Sequence, residues 1–356
     1  MPRTFPFSTP PRPHAPADVP GGSGERNPAG SVLVIHPGAL GDVLLALPAL
    51  AHLGHLCRGS RRVLATAPRL AALLGDAACV EAAVPLDGLA LHRLFVADPD
   101  PVVLASLAGH RLVVSWLGAG DPAFRGHLTA LAAAGGPRVV LGRGTPPPGS
   151  GRHAAWHFVD TLAELGPPPP ALPDVRLVAG RGERAWAADW LAERALGTDP
   201  PVLLHPGAGS PGKVWPGMAG LARRLAAAGA PLLVVTGPAE APGPETGLGR
   251  ARLARDLTLR QLVALFERAA VFVGHDSGLT HLAAAVGCPT VALFGPTDPR
   301  VWAPVGPGVT VVAGAGPGAV DPWAGIEPAA VERLAREAAA TAARRDRRAP
   351  VGSPRP

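Results

Sequence analysis

Three short stretches of this chain carry residue types that could do chemistry together. The first is Gly41-Asp42, which closely follows the apolar run Val34-Ile35 and the turn His36-Pro37-Gly38-Ala39. A carboxylate at the start of a helix is either a favourable N-terminal charge worth about 0.3–1 kcal/mol or a base that takes the proton of an attacking hydroxyl. The second is Ser210-Pro211-Gly212-Lys213, a hydroxyl and an ammonium after a similar run, Leu203-Leu204-His205-Pro206-Gly207-Ala208. It has the flavour of a phosphate loop but no Gly-Lys-Ser/Thr, so Lys213 is either a point charge for a phosphate or a solvated loop lysine. The third is Gly274-His275-Asp276-Ser277-Gly278-Leu279-Thr280-His281. Here an apolar strand stops at Gly274, and Asp276 or Ser277 can cap the helix that follows. The first-turn amides of such a helix favour a phosphate by dipole and by free N–H groups, although an ordinary capped helix needs the same residues. The adjoining run from Cys288 to Pro299 is another strand ending in a polar turn, which brings a second loop to the same edge.

Other groupings are weaker. Asp98-Pro99-Asp100 has an Asp-x-Asp form but is flanked by proline and remote from the phosphate-like loops, and His153 with His157 has helical spacing without an accompanying Glu or Cys pattern. No metal is expected. Arg58, Arg61 and Arg62 form a basic cluster without interleaved aromatics, which argues against nucleic acid. That leaves a solvated surface or contact with an anionic acceptor.

The elements needed to position these groups are those of alternating strands and helices. Strands are expected at 32–36, Arg62 to Ala65, Leu112 to Ser115 and Val139 to Leu141, with a helix at 42–55 and Ala- and Leu-rich helices between the strands. After the stiff run Gly166 to Pro170, helices are expected at about 182–195, 215–228, 258–268, 277–286 and 328–345. Strands are expected at 201–205, 231–236, 270–274 and 289–293. The repeated opening of the two halves implies two doubly wound α/β units facing a cleft. The organisation read from this is a disordered tail over 1–30, an acceptor-side unit over 31–165, a linker over 166–173, a nucleotide-binding unit over 174–345 and a second disordered tail over 346–356.

At 356 residues the chain exceeds one ordinary core, and 47% hydrophobic residues supply ample material for two. The formal net charge of +6 suits an anionic partner, yet Arg344, Arg345, Arg347 and Arg348 against Asp346 supply much of it near the end of the chain. That segment is either a solvated tail or a tether to an anionic membrane face. Three cysteines, Cys57, Cys79 and Cys288, without paired spacing fit a reducing compartment. With no signal-like N-terminus and no apolar run of bilayer length, the expectation is a cytoplasmic protein with at most peripheral contact at the inner membrane.

Taken in order, Gly38-Ala39-Leu40-Gly41-Asp42-Val43, Ser210-Pro211-Gly212-Lys213-Val214-Trp215-Pro216 and Gly274 to Ala285 resemble glycosyltransferase family 9, the lipopolysaccharide heptosyltransferases. The resemblance implies a GT-B fold of two Rossmann-like domains. It also implies inverting, metal-independent transfer of heptose from ADP-heptose to a lipid-linked or lipopolysaccharide-core-like acceptor, without a cofactor. By position it assigns Asp42 as catalytic base, with Lys213 aiding departure of the diphosphate. Ser210 and Lys213 fall on phosphate contacts, Asp276, Ser277, Gly278 and His281 on the donor diphosphate and sugar loop, and Glu240 on a ribose contact. A nucleotide-sugar-binding module without catalysis, or a transferase using a UDP- or GDP-linked sugar, would show the same C-terminal features.

Overall fold

The computed structural model describes residues 30–196, 199–237 and 251–348. Its first lobe is a five-stranded sheet of β1 (Ser31–Ile35), β2 (Arg61–Thr66), β3 (Ala82–Pro85), β4 (Leu112–Ser115) and β5 (Arg138–Leu141). All pairings are parallel and the order is β3-β2-β1-β4-β5. Parallel neighbours need crossovers, and these carry α1 (Leu40–Leu56), α2 (Pro68–Leu74), α3 (Pro101–Ala108) and α4 (Pro122–Ala133), with α5 (Ala154–Asp160) following β5. The strand period of two sorts β1 onto two cores: Val32 and Val34 join one apolar cluster, Leu33 and Ile35 the other.

Residues 166–180 contain neither helix nor strand, and Leu177 donates its N–H to the carbonyl of Ala285 in the second lobe. That lobe runs α6 (Arg181–Glu193), β6 (Val202–His205), α7 (Met218–Ala227), β7 (Leu232–Val235), β8 (Arg252–Ala254), α8 (Leu259–Arg268) and β9 (Val271–His275). It continues with α9 (Gly278–Val286), β10 (Thr290–Phe294), α10 (Pro299–Trp302), β11 (Val309–Ala313) and α11 (Pro328–Arg348). Its six strands are again all parallel, in the order β11-β10-β9-β6-β7-β8. Most expected elements appear within a few residues of their expected ends. Strands β3, β8 and β11 were not anticipated, and α11 continues to Arg348, three residues past its expected end.

In each sheet the chain leaves the first strand in one direction and later returns to its other side. The crevice at that reversal, outside the carboxyl ends of the strands, is where open α/β sheets bind ligands. In the first lobe it lies between β1 and β4, and in the second between β6 and β9. Helix α1 is apolar nearly all round, with Val43 to Leu50 buried without a break, because it is packed between its own sheet, α5 and α9 of the other lobe. A single apolar cluster therefore runs from Val34, Leu47 and Leu50 across the lobe boundary to Leu203, Phe272 and Leu282.

Candidate active site

The turn after β1 is shaped around His36 and Asp42. His36 is 1% exposed, edge-on to Trp116 and close to Phe158, and its Nδ1 accepts the N–H of Gly38 at 3.1 Å. Burial lowers its pKa to about 4, so the ring is neutral near pH 7. With Nδ1 accepting, the proton sits on Nε2. Gly38 must lack a side chain, since a Cβ there would come within 2.6 Å of His36 Cε1 and 2.8 Å of Asp42 Cβ. The backbone then turns into α1, where the Asp42 carboxylate accepts the N–H of Ala39 at 3.2 Å. Asp42 is thus a capping residue, as one of its two sequence readings required. It is also half-buried and lies within electrostatic reach of Lys213, Asp276 and His281 of the other lobe, and a Cβ on its neighbour Gly41 would lie 3.0 Å from His281 Cδ2. Burial raises the pKa of Asp42, against the opposing pull of the Ala39 N–H and of the positive charge of Lys213.

Across the boundary, the loop after β6 and the start of α9 form the second wall. Lys213 closes a short 3₁₀ turn, Pro211–Lys213, and its Nζ lies 2.8 Å from Asp276 Oδ2. His281 Nε2 is 3.7 Å from Asp276 Oδ1, and His281 Nδ1 is buried without a partner among the described residues. Burial alone would raise the pKa of Asp276, but the contacts from His281 and Lys213 outweigh it and hold the carboxyl at about 2. Asp276 therefore stays ionised and keeps Lys213 beside the first turn of α9. Ser277 occupies the N-cap position without capping through its hydroxyl, which lies instead 3.3 Å from His205 Nδ1 and 3.3 Å from Thr280 Oγ1. In the first turn of α9 the Thr280 N–H bonds the Ser277 carbonyl at 3.1 Å, while the Gly278 and Leu279 amides precede any helical carbonyl they could bond, and both residues line a cavity of about 450 Å³ between the lobes.

That cavity has an apolar end formed by Leu257, Leu259 and Leu262 beyond Thr236 and Gly237, and its first-lobe wall is Gly38 to Leu40 with Ala67, Arg69 and Leu70. Helix α8 is fixed by a reciprocal cap. Thr258 Oγ1 accepts from the Gln261 N–H at 3.2 Å while Gln261 Oε1 accepts from the Thr258 N–H at 2.9 Å.

One positioning residue was not singled out from sequence. His275, fully buried at the end of β9, accepts the N–H of Trp215 at Nε2 at 3.0 Å and so donates from Nδ1 to the carbonyl of Gly207 at 2.9 Å. It therefore pins both ends of the loop that carries Lys213. Its only sequence signal is a polar residue within an apolar strand.

Asp42, Lys213, Asp276, Ser277, Gly278 and His281 are brought together at the two crevices. Ser210 is exposed on the same loop, with its carbonyl accepting the Lys213 N–H at 3.1 Å. Glu240 lies outside the described residues. Arg58, Arg61 and Arg62 are not brought to the site. Arg61 pairs in register with Ser31 at the amino end of the sheet, opposite the crevice, and Arg62 is tied to Glu81. The remaining groupings have structural roles. Asp100 caps α3 and pairs with Arg93, while His153 caps α5 and reaches Ala303 of the second lobe at 3.0 Å. His157 bonds the carbonyl of Arg143 at 2.9 Å. Among the described residues no three metal-ligating side chains cluster, the three cysteines are buried and unbonded to one another, and no helix is long and apolar enough to cross a membrane.

Residues 172–319 match the profile of "Glycosyltransferase family 9 (heptosyltransferase)". The C-terminal lobe thus carries the sequence profile of glycosyltransferase family 9. A 52-residue stretch is 46% identical to lipopolysaccharide heptosyltransferase 3 of Escherichia coli, and a 60-residue stretch is 40% identical to lipooligosaccharide heptosyltransferase 2 of Haemophilus influenzae. These matches span only 15% and 17% of the two relatives. Solved structures extend the likeness to both lobes. A family 9 glycosyltransferase from Veillonella parvula superposes with a TM-score of 0.72 at 18% identity, covering 88% of this chain and 97% of that one. Heptosyltransferase II of E. coli gives 0.65 at 20%, covering 88% and 99%. The fold is therefore the two-lobed GT-B arrangement of family 9. The family 9 profile takes in Lys213, Asp276, Ser277, Gly278 and His281 and begins beyond Asp42, so the likeness of the first lobe is one of fold.

Proposed function

We propose that this protein is a glycosyltransferase that moves a heptose from ADP-heptose to a lipopolysaccharide-core-like acceptor, with inversion and without a metal. The observation that carries the reading is Asp42, a half-buried carboxylate with a raised pKa, set across the lobe boundary from Lys213, Asp276 and His281. Breaking a glycosyl–phosphate bond leaves negative charge on the diphosphate. Lys213 and the first-turn amides of α9 meet that charge from fixed positions, which is electrostatic stabilisation of the leaving group. Asp42, from the opposite wall, takes the proton of the attacking acceptor hydroxyl. A single displacement between two opposed walls inverts the anomeric centre. Two solved relatives support the donor class, since E. coli heptosyltransferase WaaC is described with ADP and with ADP-2-deoxy-2-fluoro heptose.

The test is a transfer assay with ADP-heptose and a lipid A-type core acceptor in excess chelator, read by product mass. The wild type is expected to add one heptose. Asp42→Asn is expected to keep donor affinity while turnover falls at least ~100-fold. Unchanged turnover in the variant removes Asp42 from the chemistry, and donor binding without product leaves a binding module.

A further inference from the structure

The donor cavity takes one wall from the lobe that does not carry the family profile, and a cation stands in that wall. Arg69 lies in the first turn of α2, exposed, lining the cavity and making no hydrogen bond or ion pair among the described residues. A positive charge in the first turn of a helix opposes the helix dipole, so neither its own helix nor a polar partner among the described residues accounts for it.

Its position along the cavity identifies what it faces. From the first turn of α9, which follows β9, the cavity passes the loops after β6 and β7 to Leu257 beyond β8. With neighbouring strands about 4.8 Å apart, three steps cover about 14 Å, the reach of an extended nucleoside diphosphate. The diphosphate belongs at the α9 end, so the apolar end floored by Leu257, Leu259 and Leu262 belongs to the base. Helix α2 packs against α8 there, and Leu70 lines the cavity beside Arg69.

We infer that Arg69 is a donor-binding residue whose guanidinium plane covers the nucleobase opposite the leucine floor, so that the nucleotide pocket is completed by the acceptor-side lobe. This rests on the nucleotide-sugar reading of the site. A guanidinium is planar and weakly hydrated and stacks on aromatic faces, which suits a slot that is apolar on one side. Because the contact comes from the other lobe, the bound base would also draw the two lobes together.

The experiment is calorimetric titration of the full chain with ADP and, separately, with adenosine. Arg69→Ala is expected to weaken both by the same factor, roughly threefold to thirtyfold, with an unchanged thermal unfolding midpoint because the side chain has no hydrogen-bond or ion-pair partner to lose among the described residues. Arg69→Lys, which restores the charge without the plane, is expected to regain only part of the affinity. Wild-type ADP affinity in Arg69→Ala, full rescue by lysine, or a loss confined to ADP with adenosine binding intact would each overturn the assignment. A wild-type chain that binds neither probe brings down the donor reading itself, a result separate from any change at Arg69.

Discussion

Asp42 illustrates how one side chain can hold a helix end and remain available for proton transfer. Its carboxylate accepts the Ala39 N–H, and asparagine preserves that acceptor while losing the basicity, which makes Asp42→Asn a cleaner probe than alanine. Burial is the main reason its pKa is raised. In the proposed mechanism the base works ionised, so kcat/KM should rise with pH through this raised pKa and then level, placing the acid limb above the ordinary carboxylate value of 3.8. A pH–rate profile on the wild type checks this, and a limb at or below 3.8 would contradict it. Asp276 has the opposite shift, to about 2, and stays charged over that whole range, so the limb belongs to Asp42. Residue types and order were enough to pick out Asp42, Lys213 and Asp276 from sequence. The Lys213–Asp276 pair, the role of His275 and the position of Arg69 on the cavity were not legible, because each depends on which loops the strand order brings together.

At the scale of elements, the site is the meeting of two helix starts. A Cβ on Gly278 would lie 2.9 Å from Leu40 Cβ and about as close to the rest of that side chain, so α1 and α9 approach as nearly as glycine allows. Gly278→Ala should therefore cost about 1–3 kcal/mol through overpacking, measured by denaturant unfolding. A variant as stable as the wild type would mean that the seam yields freely. The sequence made the central strands and their helices legible because they are continuous apolar runs. It did not reveal β3, β8 and β11, since β8 has only three residues and all three are edge strands, where pairing rather than apolar pattern defines the strand. The same limit explains Arg58, Arg61 and Arg62. Their clustering was visible, but which end of β2 faces the cleft follows only from strand direction.

For the whole molecule, the governing feature is the continuity of the core through the lobe boundary. Besides the α1–α9 and α2–α8 packing, His153 reaches Ala303 and Asp76 lies 3.8 Å from Arg260 across the same boundary. Burying one apolar cluster against both sheets couples their stabilities, so calorimetry should show one unfolding transition with matching calorimetric and van't Hoff enthalpies. Two resolved transitions would show lobes that fold independently. The two-lobed plan was readable from the repeated strand-and-turn openings at Val34 and Leu203, whereas the extent of the shared core was not, since helical spacing does not say which second surface a helix will meet.

The loop that carries Lys213 is also bracketed by two indoles. Trp215 is 2% exposed and hydrogen-bonded through its backbone to His275, and Trp323 packs on the same imidazole with its Nε1 3.4 Å from the Gly212 carbonyl. The chain has seven tryptophans and no tyrosine, so its ultraviolet emission carries no phenolic background. Any shift of that loop changes the surroundings of two of the seven emitters, which gives the unlabelled protein an optical gauge of its own interlobe cavity.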